Sequence, residues 1–114
     1  MYPRKAPSKN RAVGYRRGRG GFSSAGYTPL NRIYGDRNVY TSVEDMYRWD
    51  QALYTDRLVK QKTLAEAFRP AKLNNGSLSA YGFGWQVQTL NGLRIVWHGG
   101  TWGGFRTYIM RFPS

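Results

Sequence analysis

The dipeptide Asn91-Gly92 constrains this chain more than any other feature, because it separates two β-prone runs by the length of a tight turn. Asn-Gly is the strongest short-range hairpin signal: both central residues of the favoured turn need positive φ, which Asn and the Cβ-less Gly tolerate best. The runs it joins cover about 81–89 and 93–98, and a third strand is expected over 105–112. Ahead of them the apolar period changes. Val43, Met46, Trp49 or Asp50, and Leu53 recur at three- and four-residue intervals, which predicts a helix over about 42–54 with Glu44, Asp45, Arg48 and Gln51 facing outward. Thr41-Ser42-Val43-Glu44 fits a capping box, with Thr41 as N-cap and Glu44 reaching back to its free amide. Acidic residues in that first turn also suit the helix dipole. Leu64, Ala67 and Phe68 predict a second helix over about 61–68, stopped by Pro70, and Asn74-Asn75-Gly76 makes a turn. The fold class is therefore α+β, a meander of antiparallel strands with packed helices. Trp49, Leu53, Trp85, Val87, Ile95, Val96, Ile109 and Phe112 are assigned to packing.

At 114 residues the chain can build one core. Of its 18 Lys and Arg against 6 Asp and Glu, nine basic residues lie in 1–37, opposed there by Asp36 alone. Residues 1–26 are rich in Gly, Ser, Pro and Arg and read as a basic, irregular segment, with at most one short strand at 12–15; residues 27–114 read as the folded part. Arg16-Arg17-Gly18-Arg19-Gly20-Gly21-Phe22 has the look of an arginine-glycine segment that grips phosphates, so a nucleic-acid- or anion-binding module is one alternative and a solvated basic loop another. The absence of cysteine excludes disulfides and thiolate metal sites, and one histidine with six scattered carboxylates offers no metal-ligand spacing. No metal or organic cofactor is expected. No apolar stretch approaches the ~18 to 20 residues of a membrane span, and the basic start Met1-Tyr2-Pro3-Arg4-Lys5 is not followed by the apolar run of a signal peptide.

The single histidine, His98, follows the apolar run Ile95-Val96-Trp97 and precedes Gly99-Gly100-Thr101-Trp102-Gly103-Gly104. A titratable ring at a strand end, next to glycines that let a backbone or ligand come close, is one way to build an active-site edge; a structural turn is the plainer reading.

Three segments resemble the serine β-lactamase-like hydrolases, which include class C β-lactamases, penicillin-binding-protein relatives and esterases. Gly35-Asp36-Arg37-Asn38-Val39-Tyr40-Thr41-Ser42-Val43-Glu44-Asp45-Met46-Tyr47-Arg48-Trp49 is similar to that family's glycine-rich turn and capped helix, although the family has small glycines where Arg37 and Asn38 stand. Tyr81-Gly82-Phe83-Gly84-Trp85 resembles its Tyr-Gly-x-Gly-Trp entry into a sheet strand, and His98-Gly99-Gly100 followed by Gly103-Gly104-Phe105 resembles its third motif, Lys-Thr-Gly or His-x-Gly, with the turn into the next strand.

The resemblance implies that His98 steers the substrate and assists proton transfer, that Gly99 and Gly100 permit close approach, and that the Thr101 amide is one oxyanion donor. Trp102, with Trp97 and Tyr108, then faces a substrate or packs the sheet; Arg106 attracts a substrate carboxylate or is merely solvated. The implied substrate is a small ester, amide or β-lactam. The family's nucleophile motif is Ser-x-x-Lys, and here no Ser is followed three positions later by Lys; the only Tyr-x-Asn or Ser-x-Asn triplet is Ser8-Lys9-Asn10. The resemblance thus places the nucleophile upstream and a further strand and helix downstream. The expectation is a fragment, inactive alone and prone to self-association through an open sheet edge, whose relatives are often periplasmic or secreted.

Overall fold

The computed structural model describes residues 9–26 and 39–113. The expected glycine-rich turn at Gly35-Asp36-Arg37-Asn38 and the basic residues Arg4, Lys5 and Arg32 lie outside them. The chain divides into two compact units, one formed by Met1–Tyr40 and Thr101–Arg106, the other by Thr41–Gly100 and Thr107–Ser114.

In the first unit, strands β1 (Tyr15–Gly18) and β2 (Gly21–Ser24) pair antiparallel, from Tyr15 opposite Ser24 to Gly18 opposite Gly21. The segment expected to be irregular is therefore a hairpin, and its first strand starts at Tyr15 rather than Ala12. All eight strand residues are exposed, so no apolar alternation existed to betray them. Their backbone bonds do the work, continued by the Ala25 amide donating to the Gly14 carbonyl at 2.8 Å. Gly14 is buried, and a Cβ on it would lie 1.8 Å from the Gly103 carbonyl oxygen. A Cβ on Gly104 would lie 2.5 Å from the Tyr15 amide nitrogen and oxygen, so glycine is required on both sides of this backbone contact. The Arg11 guanidinium donates to the Tyr40 hydroxyl and stacks 3.9 Å above that ring, which meets Phe105 edge-on at 6.1 Å.

The second unit holds helices α1 (Val43–Ala52) and α2 (Gln61–Ala67). It also holds most of a three-stranded antiparallel sheet with strand order β3-β4-β5, made of β3 (Gln86–Leu90), β4 (Leu93–Trp102) and β5 (Phe105–Arg111). This is the α+β architecture expected. The N-cap of α1 is Ser42 rather than Thr41: its hydroxyl accepts from the Asp45 amide at 3.1 Å. The helix thus starts one residue later, which puts Asp45 where Glu44 was expected, and the Asp45 carboxylate pairs with Arg48 at 2.9 Å.

The predicted stripe on α1 buries no residue of the helix itself. Val43 is 83% and Trp49 40% exposed, and Leu53, just past the end, is the one stripe member in the core. The C-terminal end of α1 meets β5 through Asp50 and Arg111, and Phe112, also assigned to packing, is exposed. The core is Leu53, Leu64, Phe68 and Val96, with Val59, Trp85 and Val87 packed against it and Phe68 edge-on to Trp85 at 5.5 Å. Each such side chain contributes about 1.5–3 kcal/mol of transfer free energy when fully buried. Ile95 is fully buried as well, and as the neighbour of Val96 on a strand it points to the opposite face.

Polar groups fasten the connections. The Gln61 side-chain amide donates to the carbonyls of Leu53 at 3.0 Å and Thr55 at 2.7 Å, while its backbone amide donates to the Asp56 carboxylate at 2.8 Å. Arg94 donates to the Phe68 carbonyl at 2.6 Å, occupying a free acceptor at the end of α2. Arg111, 3% exposed, donates to both the carboxylate and the carbonyl of Asp50 and lies 4.5 Å from the Tyr54 ring centroid.

Two strand boundaries differ from expectation. The run expected at 81–89 becomes regular only at Gln86, with Tyr81 in an isolated bridge to it. The cause lies in two glycines. A Cβ on Gly82 would sit 2.2 Å from the Ala67 carbonyl oxygen, and Gly84 takes φ +77°, so the backbone bends here under α2. Conversely, β4 runs through Gly99 and Gly100 to Trp102 instead of ending at His98. The turns follow the sequence: Asn91 (φ 51°) and Gly92 (φ 79°) link the pair Leu90–Leu93, and Gly103 (φ 53°) and Gly104 (φ 82°) link β4 to β5. Positive φ at both central residues matches the right-handed twist of the strands they connect. Among the described residues no helix is long and apolar enough to cross a membrane, and no group of three His, Cys, Asp or Glu could hold a metal ion.

Candidate functional site

His98 lies within β4, and its position relative to β3 decides what its surroundings offer. The final β3–β4 pair is Gln86 with Trp97, so His98 is the first residue of β4 beyond the reach of β3. A strand that outruns its neighbour leaves main-chain donors and acceptors on that side for another occupant. The imidazole is exposed, and its Nε2 stands 2.8 Å from the Tyr81 hydroxyl, with the two rings edge-on at 5.9 Å.

Tyr81 is held in turn by its own backbone. Its carbonyl accepts from the Ala71 amide at 2.9 Å and the Ser79 hydroxyl at 2.8 Å, and its amide donates to Ser79 Oγ at 3.0 Å. Sequence reasoning placed Tyr81 only as a strand start and missed it as a partner of His98. The available signal was the pair of glycines after it, which turns the chain so that position 81 comes back beside β4.

Gly99 and Gly100 lie against β5. A Cβ on Gly99 would make ordinary contacts of 3.7 Å with Thr107 and Tyr108, whereas one on Gly100 would come within 2.6 Å of the Thr107 hydroxyl. Trp97 and Tyr108 stack at 5.2 Å with 25° between their planes, and the Trp97 indole nitrogen is buried without a hydrogen-bond partner. These two rings pack on each other, and Tyr108 remains 59% exposed.

The remaining candidates, Thr101, Trp102 and Arg106, belong to the first unit. With Tyr15, Arg16, Arg17 and the turn Gly103–Phe105 they line an open groove of about 650 Å³. Three arginines and no acidic residue stand in that lining, which makes the groove attractive to anions. The structure thus groups His98, Gly99 and Gly100 with Tyr81 in one unit, and Thr101, Trp102 and Arg106 with the basic hairpin in the other.

The family model "Beta-lactamase" matches residues 1–114. Penicillin-binding protein 4* of Bacillus subtilis (strain 168) is 42% identical over 84 residues, covering 73% of this chain and 19% of its own length. The putative penicillin-binding protein PbpX of the same organism is 40% identical over 77 residues, covering 67% of this chain and 18% of its own. A D-aminopeptidase of Brucella canis (strain ATCC 23365 / NCTC 10854 / RM-666) is 30% identical over 100 residues, covering 85% of this chain and 18% of its own. The chain therefore spans less than a fifth of the length of these relatives. No solved structure matches it. With a family match over its whole length and relatives 30% to 42% identical, the chain belongs to the β-lactamase family of serine hydrolases.

Proposed function

We propose that this chain forms one wall of an acyl-transfer site that opens a small ester, amide or β-lactam, with His98-Gly99-Gly100 as the His-x-Gly motif of that wall. The observation that carries this reading is the run of β4 past the end of β3 at His98, which leaves an extended main-chain edge beside an exposed imidazole. His98 steers the substrate and assists proton movement. Gly99 and Gly100 keep the strand thin. The Thr101 amide supplies one oxyanion donor, the second coming from the amide of the nucleophilic serine, and Trp102 and Arg106 contact the substrate, Arg106 through a carboxylate. The names of the relatives fit attack on a carbonyl carbon. This sequence has no Ser-x-x-Lys, so the chain by itself turns over no substrate.

Two measurements test this. A chromogenic ester and a chromogenic cephalosporin should show no hydrolysis above buffer; turnover abolished by His98→Ala would overturn the claim of inactivity. Titration of the 15N-labelled chain with millimolar benzylpenicillin should shift amide resonances between His98 and Arg106, and a spectrum unchanged there would overturn the wall.

A second reading has its own observation. Arg17 and Phe22 are cross-strand partners, Tyr15 shares their face, and Tyr15 and Phe22 are 56% and 76% exposed, a basic aromatic surface suited to stacking on single-stranded nucleic acid. A salt-sensitive mobility shift with single-stranded RNA, lost on replacing Arg16, Arg17 and Arg19 by Ala, would support it, and no shift at moderate salt would remove it. Self-association through the outer strands β3 and β5 is a further expectation of the open sheet, checked by sedimentation over a range of concentrations.

A further inference from the structure

We propose that Tyr81 is the positioning residue for His98: its hydroxyl donates to Nε2, fixes the neutral imidazole as the Nδ1–H tautomer, and so makes Nδ1 the face of the ring that donates to a bound acceptor. This rests on the reading of His98 as part of a substrate wall, but it can fail or stand without it.

At 2.8 Å between Tyr81 Oη and His98 Nε2, one group donates and the other accepts. A phenol is a far stronger acid than a neutral imidazole N–H, and the unprotonated imidazole nitrogen is a far better base than a phenolic oxygen, so the proton lies on the tyrosine. A neutral imidazole carries its hydrogen on one nitrogen only, and an Nε2 that accepts leaves it on Nδ1. Free histidine prefers the other tautomer, which the hydroxyl must therefore overcome.

The backbone that carries the hydroxyl is held in place. Tyr81 is bonded through its amide and its carbonyl to Ser79 and Ala71, it bridges Gln86, and its ring meets the imidazole edge-on. His98 is fixed by a strand paired through Trp97. Both partners hang from ordered backbone, so forming the bond orders only the side-chain torsions of the two rings.

Two chemical consequences follow. In the neutral state the ring offers a ligand a single donor, Nδ1–H, which matches a carbonyl or carboxylate oxygen. When the ring takes up a proton at Nε2, that N–H donates to the phenolic oxygen and the hydroxyl hydrogen turns away. The same residue therefore serves both charge states without the ring having to flip, which keeps Nδ1 in place while protons move.

The test is the imidazole 15N spectrum of the whole chain above the titration range of histidine, read by long-range proton correlation, in the native protein and in Tyr81→Phe. The native ring should show a protonated Nδ1 and a bare Nε2. Tyr81→Phe retains the ring and its edge contact and removes only the hydroxyl, so the backbone amide spectrum should persist while the tautomer reverts toward Nε2–H. A native ring already in the Nε2–H form would overturn the proposal whether or not the variant folds, and so would a folded variant whose tautomer matches the native one. Failure of benzylpenicillin to shift β4, with the tautomer result positive, would remove the substrate wall and leave the positioning of His98 intact.

Discussion

The pair Asp50–Arg111 offers the sharpest quantitative test of how this fold is held. The Arg111 side chain is 2% exposed and that of Asp50 23%. Replacing Asp50 by Ala leaves the guanidinium with the backbone carbonyl at 3.3 Å and the Tyr54 and Phe68 rings, none of which neutralises it. Stranding a fully buried charge costs about 3–5 kcal/mol, and the partial exposure on the Asp50 side lets water recover part of that, so about 2–3 kcal/mol is expected. Arg111→Met keeps the length and the contact with the rings, and the freed carboxylate regains water; its cost should be about 1–2 kcal/mol. In the double variant no charge is stranded, so its cost should stay close to that of Arg111→Met alone, giving a coupling of about 2 kcal/mol. Urea unfolding followed by tryptophan fluorescence reads this, because Trp85 packs against Phe68 in the core. Asp50→Ala should also lower Tm by roughly 10 °C, at about 4 °C per kcal/mol for a chain of this size. Two single effects that simply add to the double one, or an Asp50→Ala cost below about 1 kcal/mol, would refute the reasoning from burial.

Five further substitutions test close approach, backbone conformation, helix capping and core packing. Gly82→Ala should cost more than about 3 kcal/mol or prevent folding, since its Cβ would meet two backbone carbonyl oxygens at 2.2 and 2.9 Å, whereas Gly84→Ala, in open space at φ +77°, should cost only about 1–2 kcal/mol; circular dichroism melts distinguish them. Ser42→Ala should lose about 1 kcal/mol through the missing bond to the Asp45 amide, and Thr41→Ala less than half of that by the same urea assay. Leu53→Ala should cost about 2–4 kcal/mol as a cavity in the main cluster, and an effect under about 1 kcal/mol would show that the site collapses freely.

Much of the second unit was legible because its signals are local. The Asn91-Gly92 turn, the apolar spacing of Leu64 and Phe68 and the buried pair Ile95-Val96 each state their structure within a few residues. What escaped was set by distant backbone. Tyr81 meets His98 just before the chain passes against the Ala67 carbonyl at Gly82, and Arg111 is buried against Asp50, 61 residues earlier, with the Tyr54 and Phe68 rings beside it. The β1–β2 hairpin escaped for the opposite reason, since a strand pair exposed on both faces has no burial to impose an apolar rhythm. The stripe on α1 was a true periodicity, but periodicity says which residues share a face and not how far along the helix that face is covered: Leu53 is inside and Val43 is not.

The two-residue turns also favour an order of assembly on entropic grounds. Across β3 and β4 the widest pairing, Gln86 with Trp97, closes a span of 97 − 86 = 11 positions, whereas Arg111 reaches Asp50 across 61. Joining the ends of a short loop sacrifices less chain freedom than joining those of a long one, so the meander can zip from its tips outward before the helix arrives. The guanidinium clasp then acts as a late latch, whose removal should quicken unfolding while hardly slowing the first collapse.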